Sequence, residues 1–323
     1  MDSKIKKIGI LTSGGDGPGM NAAIRSAVRC SLHYGVEVAG IMRGYQGLLD
    51  EEIIPLGHRS VSNIINRGGT ILKTARSKEF GTEEGKAKAA ASIRKHNIDA
   101  LIVIGGDGSY RGASQLYEEY GIPTIGLPGT IDNDLNGTDQ TIGCSTAINT
   151  ALDAIDKIRD TVQSMERIFV VEVMGNKSGY IAMEVALGAG AEDVIIPERT
   201  FDYQQMHQEI IAGNKKGKIS YIIVVAEGAA MAEIVSENIT RYTNLETRYA
   251  VLGHVQRGGT PSGVDRILST RFGAAAVDLI LKGTFGKAVG VLQDKINVID
   301  LKDATRRVHA DMDQRYELLK ILT

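Results

Sequence analysis

Pro128-Gly129-Thr130-Ile131-Asp132-Asn133-Asp134 follows the apolar run Thr124-Ile125-Gly126-Leu127, which reads as a short buried strand. Pro128 and Gly129 break that strand, and two carboxylates then stand two residues apart with the Thr130 hydroxyl just before them. At the end of a buried strand, such a cluster can take a proton from a bound hydroxyl and hold a metal beside it. The plain alternative is a polar turn in which Asp132, Asn133 and Asp134 bond their own backbone. The surrounding chain decides between the two.

The pattern of strand, glycine corner and polar residue recurs upstream. Ala100-Leu101-Ile102-Val103-Ile104 is the clearest buried strand, and it ends in Gly105-Gly106-Asp107-Gly108-Ser109. Asp107 has glycine on both sides, so its carboxylate can hold Mg²⁺ while the backbone amides receive phosphate oxygens. A tight turn with Asp107 as helix N-cap is the alternative. A helix from Arg111 to Tyr120 leads back to the opening stretch.

Ile8-Gly9-Ile10-Leu11-Thr12 is a further buried-strand candidate. It runs into Ser13-Gly14-Gly15-Asp16-Gly17-Pro18-Gly19 and then Met20-Asn21-Ala22-Ala23-Ile24, the start of a helix. Glycine in such a turn lets the backbone approach a ligand closely, and a helix N-terminus favours anions. Counted from Gly15 and Gly17, a G-x-G-x-x-G dinucleotide fingerprint fails, because Met20 stands where the last glycine is required. No G-x-x-x-x-G-K-[ST] loop exists either: the runs from Gly81 to Lys86 and from Gly213 to Lys218 are one residue short and lack the hydroxyl. The helix places Ile24, Val28 and Leu32 on one face and Arg25 and Arg29 on the adjacent one. Like charges at that spacing repel by about a few tenths of a kcal/mol unless an anion lies between them. Two solvated arginines are the alternative.

Val36 to Met42 reads as a second strand, followed by a loop with His58 and Arg59. A helix is expected from near Ser62 to Arg67-Gly68-Gly69-Thr70, with Lys73 and Arg76 adding two cations beside the glycine pair. Glu83 to Asn97 is polar and alanine-rich, an external helix by propensity. Beyond the opening stretch, Ile148, Leu152, Ile155 and Ile158 mark a helix carrying Arg159. Ile168 to Val173 is a strand ending in Met174-Gly175-Asn176-Lys177-Ser178-Gly179, before an alanine-rich helix. Val194 to Glu198 is a short strand stopped by Pro197. Lys215-Lys216-Gly217-Lys218 is a loop, and Tyr221 to Val225 is a strand ending in Ala226-Glu227-Gly228. Tyr249 to Gly253 runs into His254-Val255-Gln256-Arg257-Gly258-Gly259. The last helix aligns Val308, Met312, Tyr316 and Leu319.

Strand, glycine corner and helix in repetition imply an α/β fold with parallel sheets covered by helices on both faces. Ligands then sit beyond the carboxyl ends of the strands. Asp16, Asp107, Asp132, Asp134, Asn176, Glu227, His254 and Arg257 all fall there. One Asp-Gly turn is punctuation; several converging glycine-and-carboxylate corners are a site.

The 323 residues suggest about two domains at roughly 150 residues each. Hydrophobic content of 43% and charged content of 24% are those of a soluble globular protein. A net charge of −2 supplies no basic field for nucleic acid, so cations for a phosphate ligand must be gathered locally. Two cysteines, Cys30 and Cys144, with no CxxC, argue against a disulfide framework or a zinc site and fit a reducing cytoplasm. The residues Met1 to Lys7 are too charged for a signal sequence, and no apolar run is long enough for a membrane span.

The chain resembles the bacterial ATP-dependent 6-phosphofructokinases essentially end to end. The resemblance is anchored by Gly14 to Asn21, Gly105 to Ser109, Pro128 to Asp134 and Gly253 to Gly259. It implies two doubly wound, mostly parallel-sheet domains with the active site in the cleft between them. Residues 1–142 with 255–305 would form a larger ATP-binding domain, and 143–254 with 306–323 a smaller domain for the sugar phosphate. The implied reaction is Mg²⁺-dependent phosphorylation of fructose 6-phosphate at its 1-hydroxyl by ATP. Asp132 would be the base, with Thr130, Asp134 and Arg76 beside the transferred phosphoryl. Gly15, Arg76, Ser77, Gly106, Asp107, Gly108 and Ser109 would hold ATP, with Asp107 on the metal. Thr130, Ile131, Asp132, Met174, Gly175, Asn176, Glu227, His254 and Arg257 would hold the sugar phosphate. Arg167 and Arg248 would reach it from a neighbouring subunit of a homotetramer.

Effectors such as ADP and phosphoenolpyruvate would bind at Arg25, Arg29, His58, Arg59, Arg159, Glu192, Lys216 and Lys218. Pyrophosphate-using relatives typically carry Asp in place of Gly108 and Lys in place of Gly129, so both glycines point to ATP. Three positions depart from the bacterial pattern. Asn176 replaces an arginine near the reacting phosphate, with Lys177 as the adjacent cation; His58 replaces an effector-loop arginine; Ser77 replaces an aromatic beside the nucleotide. The rival readings are a pyrophosphate-dependent enzyme of the same fold, a catalytically silent binding subunit, and an unrelated dehydrogenase. The intact Asp107, Asp132 and Asp134 disfavour the silent subunit, and the missed glycine spacing disfavours the dehydrogenase.

Overall fold

The structure is a computed structural model that describes residues 5–306 and 312–323. In chain order, β1 (Lys7–Ser13), α1 (Met20–His33), β2 (Glu37–Ile41), α2 (Tyr45–Leu49), β3 (Ile53–Pro55), α3 (Glu83–Lys95), β4 (Ala100–Gly105), α4 (Asp107–Tyr120) and β5 (Thr124–Pro128) come first. Next are α5 (Cys144–Met165), β6 (Ile168–Val173), α6 (Tyr180–Ala189), β7 (Asp193–Ile195), α7 (Tyr203–Lys215), β8 (Tyr221–Ala226), α8 (Ala232–Thr243) and β9 (Thr247–Val251). The chain closes with α9 (Gly263–Leu281), β10 (Lys287–Leu292), β11 (Lys295–Asp300), α10 (Leu301–Ala304) and α11 (Met312–Leu322).

The chain divides into two compact units. The first comprises residues 5–131, 135–146 and 257–306, and the second 132–134, 147–256 and 312–323. The first unit holds a seven-stranded sheet in the order β11-β10-β5-β4-β1-β2-β3. Its inner strands run parallel, while β3 and β11 are antiparallel at the two edges. Helices on both faces explain why β4 is buried at every position and reads as a continuous apolar run. One layer of core gathers Ile8, Ile10, Ile24, Val28 and Phe272; the other gathers Leu11, Leu101, Val103, Ile93 and Leu116. At about 1.5–3 kcal/mol for each large side chain withdrawn from water, these layers are the main favourable term for the unit. The second unit holds a four-stranded parallel sheet, β7-β8-β6-β9.

Several local expectations change. No helix starts near Ser62: the bonds Ser60 to Gly57, Ser62 to Arg59 and Arg67 to Ile64 are isolated three-residue turns, and Asn63 at φ 56° and Gly69 at φ 63° prevent a helical run. Pro128 does not end its strand but is its last member, paired with Gly105. The helix expected from Arg111 starts at Asp107, with Gly106 as N-cap. The external α3 hides one face, with Ala89, Ala90 and Ile93 at 0% exposure. The short strand expected over Val194 to Glu198 is paired only at Asp193–Ile195. In the last helix Met312 and Leu319 are buried, whereas Val308 lies outside the described residues.

The strands β3, β10 and β11 and the helices α2, α8, α9 and α10 had no counterpart in the sequence reading. In α8 the apolar stripe is blurred by Ile234, which is exposed. α9 is lined with small residues because it lies close on α1: a Cβ on Gly273 would meet the Ala23 carbonyl oxygen at 2.6 Å. The β10–β11 hairpin turns on Gln293 and Asp294, both left-handed, in place of the Asn-Gly or Asp-Gly pair that usually signals such a turn. No helix among the described residues is long and apolar enough to cross a membrane.

Candidate active site

In the first unit, strand register builds the site. Ser13 pairs with Gly105, and Gly105 with Pro128, so the carboxyl ends of β1, β4 and β5 stand in one row. That row carries Gly14-Gly15-Asp16, Gly106-Asp107-Gly108-Ser109 and Gly129-Thr130-Ile131 onto a single edge. Gly105 keeps it tight, since a Cβ there would meet the Ser13 carbonyl oxygen at 2.5 Å, while one on Gly106 would be in ordinary contact, 3.6 Å from the Thr130 Cβ. α4 begins here with no side-chain cap, leaving its first amides for a ligand. α1 likewise starts without a side-chain cap, behind Gly19 at φ 114°.

The two glycines tied to donor choice differ physically. A Cβ on Gly108 would meet nothing within 4 Å, so the position opens onto free space. A Cβ on Gly129 would lie 2.9 Å from Ile104 Cγ2, 3.0 Å from Met20 Cε and 3.1 Å from the Gly105 nitrogen. Packing therefore constrains Gly129 whatever the ligand.

Asp107 is half-buried and forms an ion pair with Arg111 at 3.0 Å, one helical turn on. Among the described residues no group of three His, Cys, Asp or Glu is placed to cage a metal. A single carboxylate at a helix N-terminus suits Mg²⁺ that brings phosphate and water oxygens with it. Arg76 is exposed in an irregular segment, and the adjacent Ser77 accepts the Phe80 N–H at 3.1 Å, capping a short turn. Phe80 itself stacks on Tyr45 with ring centroids 4.0 Å apart. The Tyr45 hydroxyl donates to the Ser109 carbonyl at 2.5 Å, steadying the Asp107 corner, and burial pushes its pKa well up. Arg257, expected at the sugar phosphate, lies in the first unit against the β1 turn. Its Nη1 donates to the Asp16 carbonyl at 3.2 Å and occupies the space where a Gly15 Cβ would be.

The opening stretch passes from one unit to the other, with Thr130 and Ile131 in the first and Asp132, Asn133 and Asp134 in the second. Asp132 is 8% exposed, and Asn133 takes a left-handed φ of 50°.

In the second unit, β6 ends at Met174-Gly175-Asn176, β8 at Glu227 and β9 just before His254. Two side chains bind these ends together. Glu227 Oε1 accepts the Gly175 and Asn176 N–H groups at 3.2 and 2.8 Å. Gln256, fully buried, accepts the Met174 N–H at 2.8 Å. Gln256 went unread in the sequence, although its place between His254 and Arg257 was available as a signal. Asn176 sits at φ 54°, a left-handed conformation that asparagine adopts more readily than most residues, though Arg43 adopts it too at φ 58°. Arg167 and Arg248 lie at the opposite end of this sheet from Met174, both on Glu246, at 3.0 and 2.6 Å.

The positions expected to bind effectors fall into two groups. In the second unit, Glu192 accepts the Ile222 N–H at 2.6 Å and pairs with Lys218 at 3.4 Å. Glu192, Lys216 and Lys218 line a cavity of about 650 Å³ together with Tyr221 and Tyr316. Arg159 donates to the Gly190 carbonyl at 3.1 Å, two residues from Glu192. In the first unit, Arg25 and Arg29 are half-buried on α1, with the Arg29 Nε buried and unpartnered, while His58 and Arg59 are exposed in a turn.

A family model described as phosphofructokinase matches residues 7–280. The chain belongs to the phosphofructokinase family. It is 53% identical over 305 residues to the ATP-dependent 6-phosphofructokinase 1 of Thermus thermophilus, covering 94% of this chain and 95% of that one. It is 50% identical over 319 residues to the ATP-dependent 6-phosphofructokinase of Bacillus subtilis, covering 99% and 100%. Among solved structures, phosphofructokinase from Saccharomyces cerevisiae matches with a TM-score of 0.86 at 36% identity, over 93% of this chain and 45% of the yeast chain. The present chain thus spans less than half of that protein. A pyrophosphate-dependent phosphofructokinase from Marinobacter aquaeolei matches with a TM-score of 0.82 at 23% identity, over 98% and 91%, which shows a shared phosphofructokinase fold.

Proposed function

We propose that this chain is an ATP-dependent 6-phosphofructokinase that transfers the γ-phosphoryl group of ATP to the 1-hydroxyl of fructose 6-phosphate. The observation that carries the proposal is the row Ser13, Gly105, Pro128. It gathers a glycine-lined edge with uncapped amides, a carboxylate and a threonine, which suits a reaction that needs positioning and charge neutralisation more than covalent chemistry. The full-length likeness to relatives bearing that name supports it.

In this reading Asp132 removes the proton from the sugar hydroxyl as that oxygen attacks the γ-phosphorus and ADP leaves. Thr130 and Asp134 flank the transferred group, and Arg76 supplies a cation to it. Mg²⁺, when bound with the nucleotide, neutralises phosphate charge beside Asp107. Gly15 and the Gly106 to Ser109 amides cradle the nucleotide phosphates. Support for ATP over pyrophosphate comes from the open space beyond Gly108, which leaves room for the rest of a nucleotide. His254 and Arg257 bind the sugar phosphate, with Met174, Gly175 and Asn176 held against the sugar by Glu227 and Gln256; Lys177 takes over part of the charge that Asn176 lacks.

Arg167 and Arg248 serve a neighbouring subunit of a homotetramer. What supports this is their place at the far end of their own sheet, about 20 Å from Met174 along a six-residue strand. ADP and phosphoenolpyruvate act at Arg25, Arg29, His58, Arg59, Arg159, Glu192, Lys216 and Lys218. The enzyme works in the cytoplasm.

Parallel coupled assays with ATP and with pyrophosphate, each with and without ADP and phosphoenolpyruvate, test the proposal. Turnover is expected with ATP. Turnover with pyrophosphate alone would reverse the donor assignment, and none with either would favour a silent binding subunit. Gly228→Ala tests the sugar site separately, because its Cβ would lie 1.8 Å from the Asn176 carbonyl oxygen and force that backbone to move. We expect KM for fructose 6-phosphate to rise by roughly tenfold or more with KM for ATP nearly unchanged, as steady-state kinetics would show.

A further inference from the structure

The loop before Arg76 has no regular secondary structure, yet side chains hold it at almost every residue. Asn21, the second residue of α1, is 1% exposed. Its Nδ2 donates to the Arg67 and Gly68 carbonyls at 3.0 and 3.2 Å, and its Oδ1 accepts the Ile71 N–H at 2.8 Å. The hydroxyl of Thr12, fully buried on β1, exchanges a hydrogen bond with Thr70 Oγ1 at 3.0 Å and donates to the Lys73 carbonyl at 2.9 Å. Leu72 is anchored in the core and accepts the Arg43 N–H at 2.7 Å. Beneath the loop, a Cβ on Gly68 would meet the Gly259 carbonyl oxygen at 2.3 Å, so backbone packs directly on backbone. The next fixed point is Ser77, which holds the Phe80 N–H. Only residues 74–76 lie between these anchors.

We infer that Asn21 is a positioning residue for the phosphoryl-transfer step: with Thr12 it fixes the 67–73 loop and thereby sets where the Arg76 guanidinium can reach. This rests on the reading of Arg76 as the cation on the transferred group. Asn21, 1% exposed and bonded on both ends of its amide, acts through the loop and not by contact with a reactant. It uses both ends of its amide on one five-residue loop, the requirement for specifying a single conformation where no helix or strand does so. A guanidinium on a long, exposed side chain is only as well placed as the backbone that carries it, and misplacement by about 1 Å costs up to ~10²-fold in rate.

The test is a double-mutant cycle between positions 21 and 76, read as kcat and KM for ATP, with hydrogen exchange of the Ile71 amide as an independent readout. Asn21→Ala should lower kcat by about tenfold or more, leave KM for ATP within about threefold, and abolish protection at Ile71. In an Arg76→Ala background the same change should alter kcat by less than about twofold, because its effect runs through a group already removed. Asn21→Asp, which keeps the acceptor for Ile71 and loses both donors, should fall between. If Asn21→Ala does not fold, Thr12→Val removes two of the loop bonds at nearly constant volume and is measured in the same cycle. An unchanged kcat in Asn21→Ala, or an equal loss with and without Arg76, would overturn the inference while leaving Arg76 catalytic. An unchanged kcat in Arg76→Ala would instead overturn the reading of Arg76, and the inference with it.

Discussion

Asp132→Ala is expected to lower kcat by at least ~10²-fold while changing the affinities for fructose 6-phosphate and ATP much less, the signature of a lost positioned base. Asp132→Asn, which keeps the shape of the side chain without its basicity, should lose nearly as much. Asp132 is 8% exposed, so water has little room to substitute for the carboxylate. The measurement is steady-state kcat in a coupled assay, with substrate titrations to separate chemistry from binding. A near-normal kcat in the alanine variant would remove Asp132 from the mechanism and return the segment to the status of a polar turn.

Asp265→Ala should be the most destabilising of the substitutions considered. This carboxylate, wholly buried on α9, accepts the Gly143 and Thr146 N–H groups at 2.9 and 2.8 Å, so a side chain from one helix caps the start of another, α5. The Thr146 and Ser262 hydroxyls also bond to it. Removing it leaves two amides and a hydroxyl buried without an acceptor, at a cost of roughly 1–3 kcal/mol each. Loss of about 3 kcal/mol or more should lower Tm by about 4 °C or more. Burial pushes the Asp265 carboxyl above its ordinary pKa, against the pull of these donors. A raised folded-state value means that the associated stability is present below about pH 3.9 and is lost as pH rises through the folded value. The deficit of Asp265→Asn relative to the parent should therefore shrink as pH rises from 4 to 7. An alanine variant that melts with the parent would show that α5 needs no such cap.

What could be read in the sequence was whatever strand periodicity and glycine placement dictate locally. β1, β4, β5, β6 and β8 announce themselves as apolar runs stopped at a corner, and those corners are where the candidate site lies. Elements defined by tertiary contact were silent. α9 is shaped by its approach to α1 through Gly273, and the edge strand β11 alternates exposure without a glycine turn to mark it. The helix expected near Ser62 is absent because positive φ at Asn63 and Gly69 decides the path there. Within the site, the residues that support others were the hardest to see. Gln256 and Asn21 act through hydrogen bonds to distant backbone, 82 residues away for Gln256 and 46 to 50 for Asn21, and no local spacing encodes that. The asparagine at 176 looked like a lost cation, and its left-handed backbone is visible only in three dimensions.

Glu246 holds both Arg167 and Arg248, and that fixes a charge balance. Two guanidiniums with one carboxylate carry a net charge of only +1. A sugar phosphate near neutral pH carries nearly −2, so the trio cannot neutralise it while the carboxylate stays between the arginines. The Arg248 grip is weak, since Arg248 and Glu246 are 60% and 48% exposed and ion pairs so open to water are worth about 0–1 kcal/mol, whereas Arg167, at 25% exposed, holds Glu246 more firmly. On the proposed role of the two arginines, Glu246 would be a resident counter-ion that holds them together until a phosphate takes its place.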